Sequence, residues 1–443
     1  MKVVSLYPSA LSDSPMPGGG ARLVAALDIG SSKISCMIGE VRGLRRRGGH
    51  SVPAARITGF GVQAARGVRA GVIVDMEAAE KAVRLAVDAA ERMAGVHLEE
   101  VHVNLSGGRP ECVTVQARIG IEGGGPIGRQ HASYVMHKAL AQCRMQDKRQ
   151  IVHVTPARFF LDDGPGVLKV EGLHADTLRA DVNVISIGRG VLRNLETVIA
   201  RCMLRPAGLL AAPCAAARAV VVDDELDLGV MVLDMGAENT SWAVYEGGRM
   251  EAAGFVPLGS AHVTRDIATV LGVSMKEAER QKTLNGSLLP ALEDDFDTVN
   301  LPMLGETGPG AIQQVPRAML NKIIRARVEE TLEMVREAAR KALDAGERRI
   351  VLTGGGSQLV GMRELAEKIF DCPARIGQPR QIAGMPQAMM SPAFAGVAGL
   401  LRSAMKPDDQ SFLPERDLSA KACAMTGTGG YFSRVRQWLG QSF

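Results

Sequence analysis

The pattern of hydrophobic and polar positions contains one element twice. Residues 27–40 and 233–246 each consist of an apolar stretch, an Asp-x-Gly with small polar residues after it, and a second apolar stretch. In register, Asp28 of the first copy corresponds to Asp234 of the second. Each copy predicts a β-hairpin whose tight turn offers backbone N–H groups to an anion and a carboxylate to a metal ion. Two such hairpins suit two lobes that close on one phosphate chain, although a single copy is also typical of an ordinary glycine turn.

The rest of the pattern alternates short apolar strands with amphipathic helices, which indicates an α/β protein. Asp75 can cap the first of these helices, on which Ala79, Val83 and Ala90 share one face. Residues 260–285 predict two short helices. The other predicted elements are strands at 55–63, 101–105 and 349–353 and helices at 75–93, 189–205, 318–343, 359–370 and 391–402.

Residues 107–187 form a separate unit in this pattern. The unit contains strands near 111–119, 150–161 and 180–187 and one helix near 130–146. The helical pattern of the surrounding lobe resumes only after it. We therefore predict a small α+β domain that is inserted into the first lobe.

Two internal segments lack periodicity. Residues 42–53 are predicted to be a solvated turn, and residues 286–316, which are acidic and then rich in Gly and Pro, a mobile loop. The whole chain then divides into ten segments. In order, they are a flexible tail (1–21), the first-lobe core (22–106), the inserted domain (107–187), first lobe again (188–213), second-lobe core (214–260), a small subdomain of that lobe (261–316), second-lobe core again (317–370), a return to the first lobe (371–402), a flexible linker (403–428) and an amphipathic helix (429–443).

Composition indicates a globular protein of a reducing compartment. The 443 residues exceed one hydrophobic core, so several domains are expected. Seven cysteines without Cys-x-x-Cys spacing suggest neither a disulfide framework nor a zinc site. A net charge of +4 is too small to imply nucleic acid as a partner. The sequence shows neither a signal-peptide core nor the run of about 20 apolar residues that a membrane-spanning helix needs.

The two hairpin turns are candidate sites for phosphate and for Mg²⁺. Their backbone N–H groups can hold an anion, and Asp28 and Asp234 are candidate Mg²⁺ ligands, directly or through water. Lys33 is placed to neutralise phosphate charge, unless it is a surface lysine. The candidate phosphate-binding residues are Gly30, Ser31, Ser32, Lys33, Gly236, Ala237, Glu238, Asn239 and Thr240.

Two further elements bear on the same ligand. A glycine turn at 354–356 joins a strand to a helix, where a ligand can approach the backbone and the helix N-terminus favours negative charge. Glu279 and Lys282 are three residues apart and share a helix face, which is also typical of a solvated ion pair. The candidate residues here are Glu279, Lys282, Gly354, Gly355, Gly356 and Ser357.

The order of these elements resembles the actin-like ATPase superfamily. That order is a phosphate hairpin, the inserted unit, a second phosphate hairpin, the Glu-x-x-Lys helix and the Gly-Gly-Gly turn. Within the superfamily the chain resembles FtsA, a family of bacterial cell-division proteins, over residues 22–402 and again at the C-terminus. The resemblance implies an actin-like (ribonuclease H-like) two-lobed α/β fold that binds ATP and Mg²⁺ between the lobes, with Glu279 and Lys282 at the ribose. Walker-type NTPases are excluded because Gly-x-x-x-x-Gly-Lys-Ser/Thr is absent.

The sequence departs from the hydrolysing members of the superfamily at one position. Those relatives, such as MreB and the heat-shock chaperones, have Glu-Pro before an Ala-rich helix, and this chain has Ala212-Pro213. An alanine side chain has no lone pair with which to orient the attacking water. In the second phosphate loop, Glu238 takes a position where glycine is usual and would repel phosphate unless it turns to solvent or joins Mg²⁺. We therefore expect at most slow ATP hydrolysis.

Residues 429–443 predict a short amphipathic helix. At about 100° per residue its apolar side chains occupy one arc, which two arginines flank, so that they can reach anionic headgroups. We interpret it as a membrane-binding helix like that of FtsA; a helix that packs on this protein's own core, or on a partner, is the alternative. Several copies in an oligomer would bind a membrane more strongly than one. The predicted membrane contacts are Tyr431, Phe432, Arg434, Val435, Arg436, Trp438 and Leu439.

The resemblance also implies partners and a location. In FtsA, the small subdomain of the second lobe receives the C-terminal peptide of the tubulin-like GTPase FtsZ, and the matching positions here are Arg327 and Glu330. These two residues are also spaced as an ordinary ion pair on a helix. The other implied partners are further copies of the chain in filaments, an anionic lipid surface, and later division proteins at residues 107–187. The implied location is the cytoplasmic face of the inner membrane at the division site, as a peripheral protein.

Two other classes of function share the same core. One is a sugar- or acetate-kinase-like phosphotransferase, which would turn over ATP rapidly with a small acceptor. The other is a PilM-type pilus scaffold, which binds a peptide of an inner-membrane partner. Neither has a use for the terminal amphipathic helix, so binding to liposomes would distinguish both from an FtsA-like tether.

Overall fold

The structure, a computed structural model, describes residues 21–405 apart from a few short gaps. The terminal helix with its seven membrane contacts, all but the last residue of the predicted tail, and the predicted linker from residue 406 onward lie outside the described residues. The first three residues of the predicted linker, 403–405, instead belong to a helix. Residues 43–54 are described by their backbone alone. The internal gaps are 48–49, 144–147, 292–293, 295, 306–311, 345 and 347.

A five-stranded mixed sheet forms the base of the first lobe. In spatial order its strands are β11 (Arg205–Ala211), β6 (Glu100–Leu105), β1 (Arg22–Ile29), β2 (Lys33–Arg47) and β3 (His50–Ala64). The apolar run before Asp28 is buried because β1 lies in the middle of the sheet. β1 pairs antiparallel with β2 and parallel with β6, which sets Asp28 beside Ser35 on one side and Asn104 on the other.

Helices cover this sheet, and a small hairpin precedes the first of them. Asp75 caps α1 as predicted, since its carboxylate accepts the backbone N–H groups of Glu77 and Ala78. The predicted face of α1, with Ala79 and Val83, is buried. The elements are β4 (Val68–Arg69), β5 (Val72–Ile73), α1 (Met76–Ala94), α3 (Arg189–Arg201) and α10 (Ala395–Met405).

The second lobe repeats the arrangement. Its five strands, in spatial order, are β14 (Arg249–Val256), β13 (Thr240–Glu246), β12 (Val230–Met235), β17 (Arg349–Thr353) and β18 (Ala374–Ile376). β12 pairs antiparallel with β13 and parallel with β17, as β1 does with β2 and β6. Because β18 belongs to this sheet, the return to the first lobe comes after it and not at residue 371 as predicted.

The helices of the second lobe follow the predicted order. The two short helices are present, and the long helix begins one residue before the predicted 318. The helix α4 (Ala212–Val220) packs on α10 and also contacts β12 and β13, so it lies between the two sheets. The helices are α4 (Ala212–Val220), α5 (Asp223–Leu228), α6 (Ser260–Leu271), α7 (Met275–Asn285), α8 (Arg317–Leu343) and α9 (Met362–Phe370), with a 3₁₀ turn at Gly355–Gln358.

Two predictions of irregular structure are wrong. Within 286–316, β15 (Thr298–Pro302) and β16 (Ile312–Pro316) form an antiparallel hairpin whose apolar residues Val299, Leu301 and Val315 are buried. Strands this short leave too few alternating positions for the pattern to stand out. The predicted turn at 42–53 is instead the far end of β2 and β3, whose pairing continues to Arg47 and His50. Backbone hydrogen bonds extend this hairpin without an apolar pattern.

The predicted inserted unit has its own sheet and its own core. Its strands are β7 (Glu111–Gly120), β10 (Thr177–Gly188), β8 (Arg149–Leu161) and β9 (Gly166–Val167), in that spatial order, and its helix is α2 (Arg129–Gln142).

The unit also contacts the second lobe. The Arg158 guanidinium donates to Glu251 at 2.9 Å and to Glu246 at 2.5 Å. The Asn183 amide donates to the backbone carbonyl of Met250 at 2.7 Å. The unit is therefore bonded to the edge strand of the second sheet as well as being inserted into the first lobe.

Candidate functional site

A cavity of about 480 Å³ lies between the two lobes. Both hairpin turns, α7, the glycine turn and the start of α10 contribute to its wall. All of the predicted phosphate-, metal- and adenosine-binding residues line it except Ser357. The buried hydroxyl of Ser357 donates to the Gly354 carbonyl at 2.8 Å, so this side chain supports the turn from behind.

The two hairpins close in the same way. The Gly30 N–H donates to the Lys33 carbonyl at 3.1 Å, and the Gly236 N–H donates to the Asn239 carbonyl at 2.9 Å. The matching hydrogen bonds fix the same tight turn at the end of β1 and of β12. Each turn begins two residues after an aspartate, so Asp28 and Asp234 line the cavity from equivalent positions in the two lobes.

The carboxylate of the first lobe has a side-chain partner. The Asn104 amide nitrogen donates to Asp28 Oδ1 at 3.0 Å. Burial raises the pKa of Asp28, and the hydrogen bond from Asn104 and the charge of Lys33 act in the opposite direction. Lys33 is half-buried in the cavity wall, with its ammonium 4.7 Å from the centre of the Phe394 ring. Burial lowers the pKa of Lys33, while Asp28 and Asp234 raise it.

The carboxylate of the second lobe lacks the corresponding support. Thr353 occupies the position on β17 that Asn104 occupies on β6, but its hydroxyl donates to the Gly377 carbonyl at 2.9 Å. Burial and the neighbouring Asp28 raise the pKa of Asp234 to about 7, against the lowering effect of Lys33. Two carboxylates that share a buried site with one lysine leave excess negative charge, which favours a cation.

The second phosphate loop is bonded to the first lobe. The Glu238 carboxylate accepts the backbone N–H of Ala70, in the β4–β5 turn, and lies 4.0 Å from Arg265. The neighbouring Asn239 amide donates to the Ser106 carbonyl at 2.9 Å. Glu238 therefore turns neither to solvent nor to a metal position, the two outcomes that the sequence suggested, but to a backbone amide across the cleft.

The Glu279–Lys282 pair lies on α7 at the cavity wall. The Lys282 ammonium donates to Glu279 at 2.7 Å, to the Thr264 hydroxyl at 2.9 Å and to the Ser260 carbonyl at 3.1 Å. The Lys282 side chain is only 11% exposed, whereas that of Glu279 is 55% exposed. The pair is thus anchored to α6 and is not an ordinary solvated pair.

Glycines bring the backbone close to both aspartates. Gly354 has φ +83°, and a Cβ there would lie 2.4 Å from Asp234 Oδ1. A Cβ at Gly396, on α10, would lie 2.9 Å from both Asp28 Oδ2 and the Asn104 amide nitrogen. The helix predicted to open at 359 begins at Met362, because residues 355–358 form a 3₁₀ turn first. A side chain at either glycine position would therefore collide with a carboxylate.

Ala212 lines the same cavity at the first turn of α4. Its methyl group is buried and offers neither a lone pair nor a charge to a water molecule.

Comparison with known proteins decides the family. Residues 231–399 match the family model of the cell division protein FtsA, and residues 107–186 match that of the SHS2 domain inserted in FTSA. The cell division protein FtsA of Rhizobium meliloti (strain 1021) is 37% identical over 435 residues, which cover 97% of this chain and 97% of that protein. The chain belongs to the FtsA family. FtsA of Escherichia coli (strain K12) is 29% identical over 441 residues, covering 95% and 98% of the two chains.

Membership of the FtsA family gives the chain a role in cell division. Among solved structures, a chain of a PilM–PilN type IV pilus biogenesis complex has a TM-score of 0.60 at 16% identity, over 87% of this chain and 99% of that one. The predicted actin-like two-lobed α/β fold with an inserted α+β domain is confirmed.

The two residues that the FtsA resemblance assigns to a peptide lie outside the cavity. Arg327, on α8, donates to both carboxylate oxygens of Asp266 on α6, at 2.5 and 3.1 Å. Its remaining terminal nitrogen donates to Glu330 at 2.5 Å. The ion pair of the alternative interpretation is therefore present, together with Asp266, which the sequence did not indicate. Their role in peptide binding stays a prediction.

Asn104 and Gly396 are cavity residues that the sequence reasoning missed. Asn104 shares the polar positions of the alternating stretch 101–105 with His102, so the pattern that predicted the strand did not single it out. Gly396 lies within the predicted helix 391–402, and the sequence indicates no other role for it.

The described part of this FtsA-family chain has no helix that is long and apolar enough to cross a bilayer. Its six described cysteines are free thiols.

Proposed function

We propose that this FtsA-family protein is an ATP-binding, self-associating adaptor that tethers the FtsZ ring to the cytoplasmic membrane and recruits later division proteins. The observation that carries the nucleotide part is the cavity into which the two matching Asp-x-Gly hairpins open from opposite lobes. In this assignment the two turns hold the phosphates, and Glu279, Lys282 and the turn Gly354–Gly356 hold the adenosine.

The residues present fit a hydrated Mg²⁺ ion. Asp28 and Asp234 supply oxygen ligands from the two lobes, directly or through water. The Asn104 amide oxygen is a buried acceptor without a partner among the described residues, and the glycines at 354 and 396 keep side chains away from the two carboxylates. When bound, Mg²⁺ neutralises phosphate charge and keeps part of its water shell.

Ala212 makes this nucleotide a structural ligand. No side chain at the start of α4 orients an attacking water, so the bond to the terminal phosphate is cleaved slowly if at all. The nucleotide instead joins the lobes, because its phosphates contact one hairpin from each.

The remaining parts of the proposal rest on the sequence and on family membership. Residues 429–443 bind anionic lipid on the cytoplasmic face of the inner membrane, at the division site. The surface at Arg327 and Glu330 receives the FtsZ peptide, and residues 107–187 receive later division proteins. The half-exposed carboxylate of Glu330 supports the peptide assignment because it is open to a further donor.

The tether is tested by removing residues 429–443. We expect the truncated protein to stay folded and to bind ATP with unchanged affinity, but to lose flotation with anionic liposomes by at least tenfold. Trp438→Glu in the full chain should act like the truncation, and Gln437→Ala, on the polar face, should leave flotation unchanged. Undiminished flotation of the truncated protein contradicts the tether, and absence of ATP binding by the full chain contradicts the nucleotide assignment.

A further inference from the structure

We propose that Asn104 is a positioning residue for the metal: its amide nitrogen orients Asp28, and its amide oxygen accepts a hydrogen bond from a water of the Mg²⁺ shell. The inference rests on the proposed nucleotide function and deepens it, because it places the metal against the carboxylate of the first lobe.

The geometry fixes which amide atom is free. Asn104 lies beside Asp28 in the register of β6 with β1, is 4% exposed and lines the cavity. Its amide nitrogen is committed to Asp28 Oδ1 at 3.0 Å. The reverse orientation would set an amide oxygen against a carboxylate oxygen, two acceptors without a proton between them.

The amide oxygen of Asn104 is therefore an unused acceptor in a buried place. It has no hydrogen-bond partner among the described residues. A buried acceptor without a donor is costly, so such atoms in native proteins signal an absent ligand or water. A water bound to a divalent cation is a suitable donor, because the cation polarises its O–H bonds.

Gly396 lets helix α10 pack directly against the Asp28–Asn104 pair. Gly396 approaches both side chains from α10, and a Cβ there would lie 2.9 Å from Asp28 Oδ2 and from the Asn104 amide nitrogen. A side chain at residue 396 would displace them, whereas glycine leaves the pair in place.

The second lobe shows that a residue paired with the aspartate on the neighbouring parallel strand need not form a hydrogen bond to it. Thr353 has the equivalent register position beside Asp234 and is fully buried, yet its hydroxyl bonds to the Gly377 carbonyl. Of the two residues, Asn104 alone donates to the aspartate beside it.

The test separates metal binding from nucleotide binding. The affinity of the full chain for ATP is measured by calorimetry with Mg²⁺ and with EDTA, for the unaltered protein, Asn104→Ala and Thr353→Val. Residues that orient metal ligands typically contribute 10- to 100-fold to metal affinity. The quantity to compare is the Mg²⁺ gain, the ratio of the ATP affinity with Mg²⁺ to the ATP affinity in EDTA. We expect this ratio to be about tenfold smaller for Asn104→Ala than for the unaltered protein. The affinity of the variant in EDTA should stay within twofold of that of the unaltered protein. Thr353→Val should keep the Mg²⁺ gain even if its melting temperature falls.

Asn104→Asp gives a second readout that does not depend on nucleotide. Its carboxylate would face that of Asp28, so Mn²⁺ should raise the melting temperature of this variant more than that of the unaltered protein. An unchanged Mg²⁺ gain in Asn104→Ala, an equal loss with and without Mg²⁺, or equal Mn²⁺ shifts for Asn104→Asp and the unaltered protein each overturn the inference. Failure of the unaltered protein to bind ATP in either condition overturns the nucleotide site itself.

Discussion

The two lobes place an aspartate at the same point of the same three-stranded arrangement and surround it differently. In the first lobe, Asp28 accepts a hydrogen bond from Asn104 of the neighbouring parallel strand. In the second lobe, Thr353 turns its hydroxyl away from Asp234, whose pKa rises to about 7. The repeated backbone sets where the two carboxylates lie, and the residues that are not repeated decide how each is charged and held.

The largest effect is expected at the glycine that approaches the second aspartate. Gly354→Ala combines a left-handed backbone with a Cβ 2.4 Å from Asp234 Oδ1, and should destabilise the protein by about 3 kcal/mol or more and abolish ATP binding. Gly396→Ala, beside Asp28, meets only side chains at 2.9 Å and should cost less. Urea denaturation and calorimetry with ATP measure both effects.

Gly272→Ala is the matched control for the backbone. Gly272 has φ +61° and nothing within 4 Å of a Cβ, so this variant carries the left-handed strain, on the order of 1 kcal/mol, without a clash. Equal losses of stability in Gly354→Ala and Gly272→Ala would show that the approach to Asp234 does not matter.

A pH-dependent effect comes next, at Asp234 itself. Its folded pKa of about 7 lies above the ordinary 3.8, so between these values the unfolded state releases a proton that the folded state keeps. Stability therefore falls as pH rises through this window. Without nucleotide, Asp234→Asn should be more stable than the unaltered protein at pH 8, on the order of 2–4 kcal/mol, and should lose most of that advantage near pH 4.

Asp28→Asn is the comparison for this effect. The hydrogen bond from Asn104 lowers the pKa of Asp28, whereas the charge of the neighbouring Asp28 raises the pKa of Asp234. We expect a smaller gain at pH 8 from this variant. Urea denaturation between pH 4 and pH 8 supplies the data. A difference between Asp234→Asn and the unaltered protein that is independent of pH contradicts the titration of Asp234.

The smallest effect concerns the hydrogen bonds that join the two phosphate loops to the turn between β4 and β5. The Ala70 N–H donates to Glu238 across the cleft, and the Gly71 N–H donates to the Ser31 hydroxyl within the first lobe at 2.8 Å. Glu238→Ala should cost about 1 kcal/mol and speed amide hydrogen exchange at Ala70. Ser31→Ala should act on Gly71 and leave the contact between the lobes intact. If amide hydrogen exchange at Ala70 is the same in Glu238→Ala and in the unaltered protein, the hydrogen bond between Ala70 and Glu238 does not form in solution.

The repeated hairpins and most helices followed from the sequence because their signals are local. Asp28 and Gly30 lie within one short segment, and a turn of that kind needs no distant partner. The actin-like fold then followed from the order of the motifs.

The contacts that the sequence did not reveal are made between segments that lie far apart in the chain and meet only in the folded protein. Asn104 becomes a partner of Asp28 only through the pairing of β6 with β1, and Gly396 approaches both from a helix near the other end of the chain. Glu238 finds the Ala70 amide by the same kind of distant contact. Ser357 was assigned to the ligand from its place in a glycine-rich run, but the 3₁₀ turn points its hydroxyl to the backbone behind the cavity.

The inserted unit has a mechanical consequence through its bonds to the second sheet. Both of its chain connections lead into the first lobe, while Arg158 and Asn183 bind the β13–β14 region of the second. A rotation of one lobe against the other must either carry the unit along or break these bonds. While these bonds hold, the tilt of the unit and the opening of the cleft therefore change together. A partner on the unit that prefers one tilt and a ligand in the cleft that prefers one opening must alter each other's affinity by the same factor.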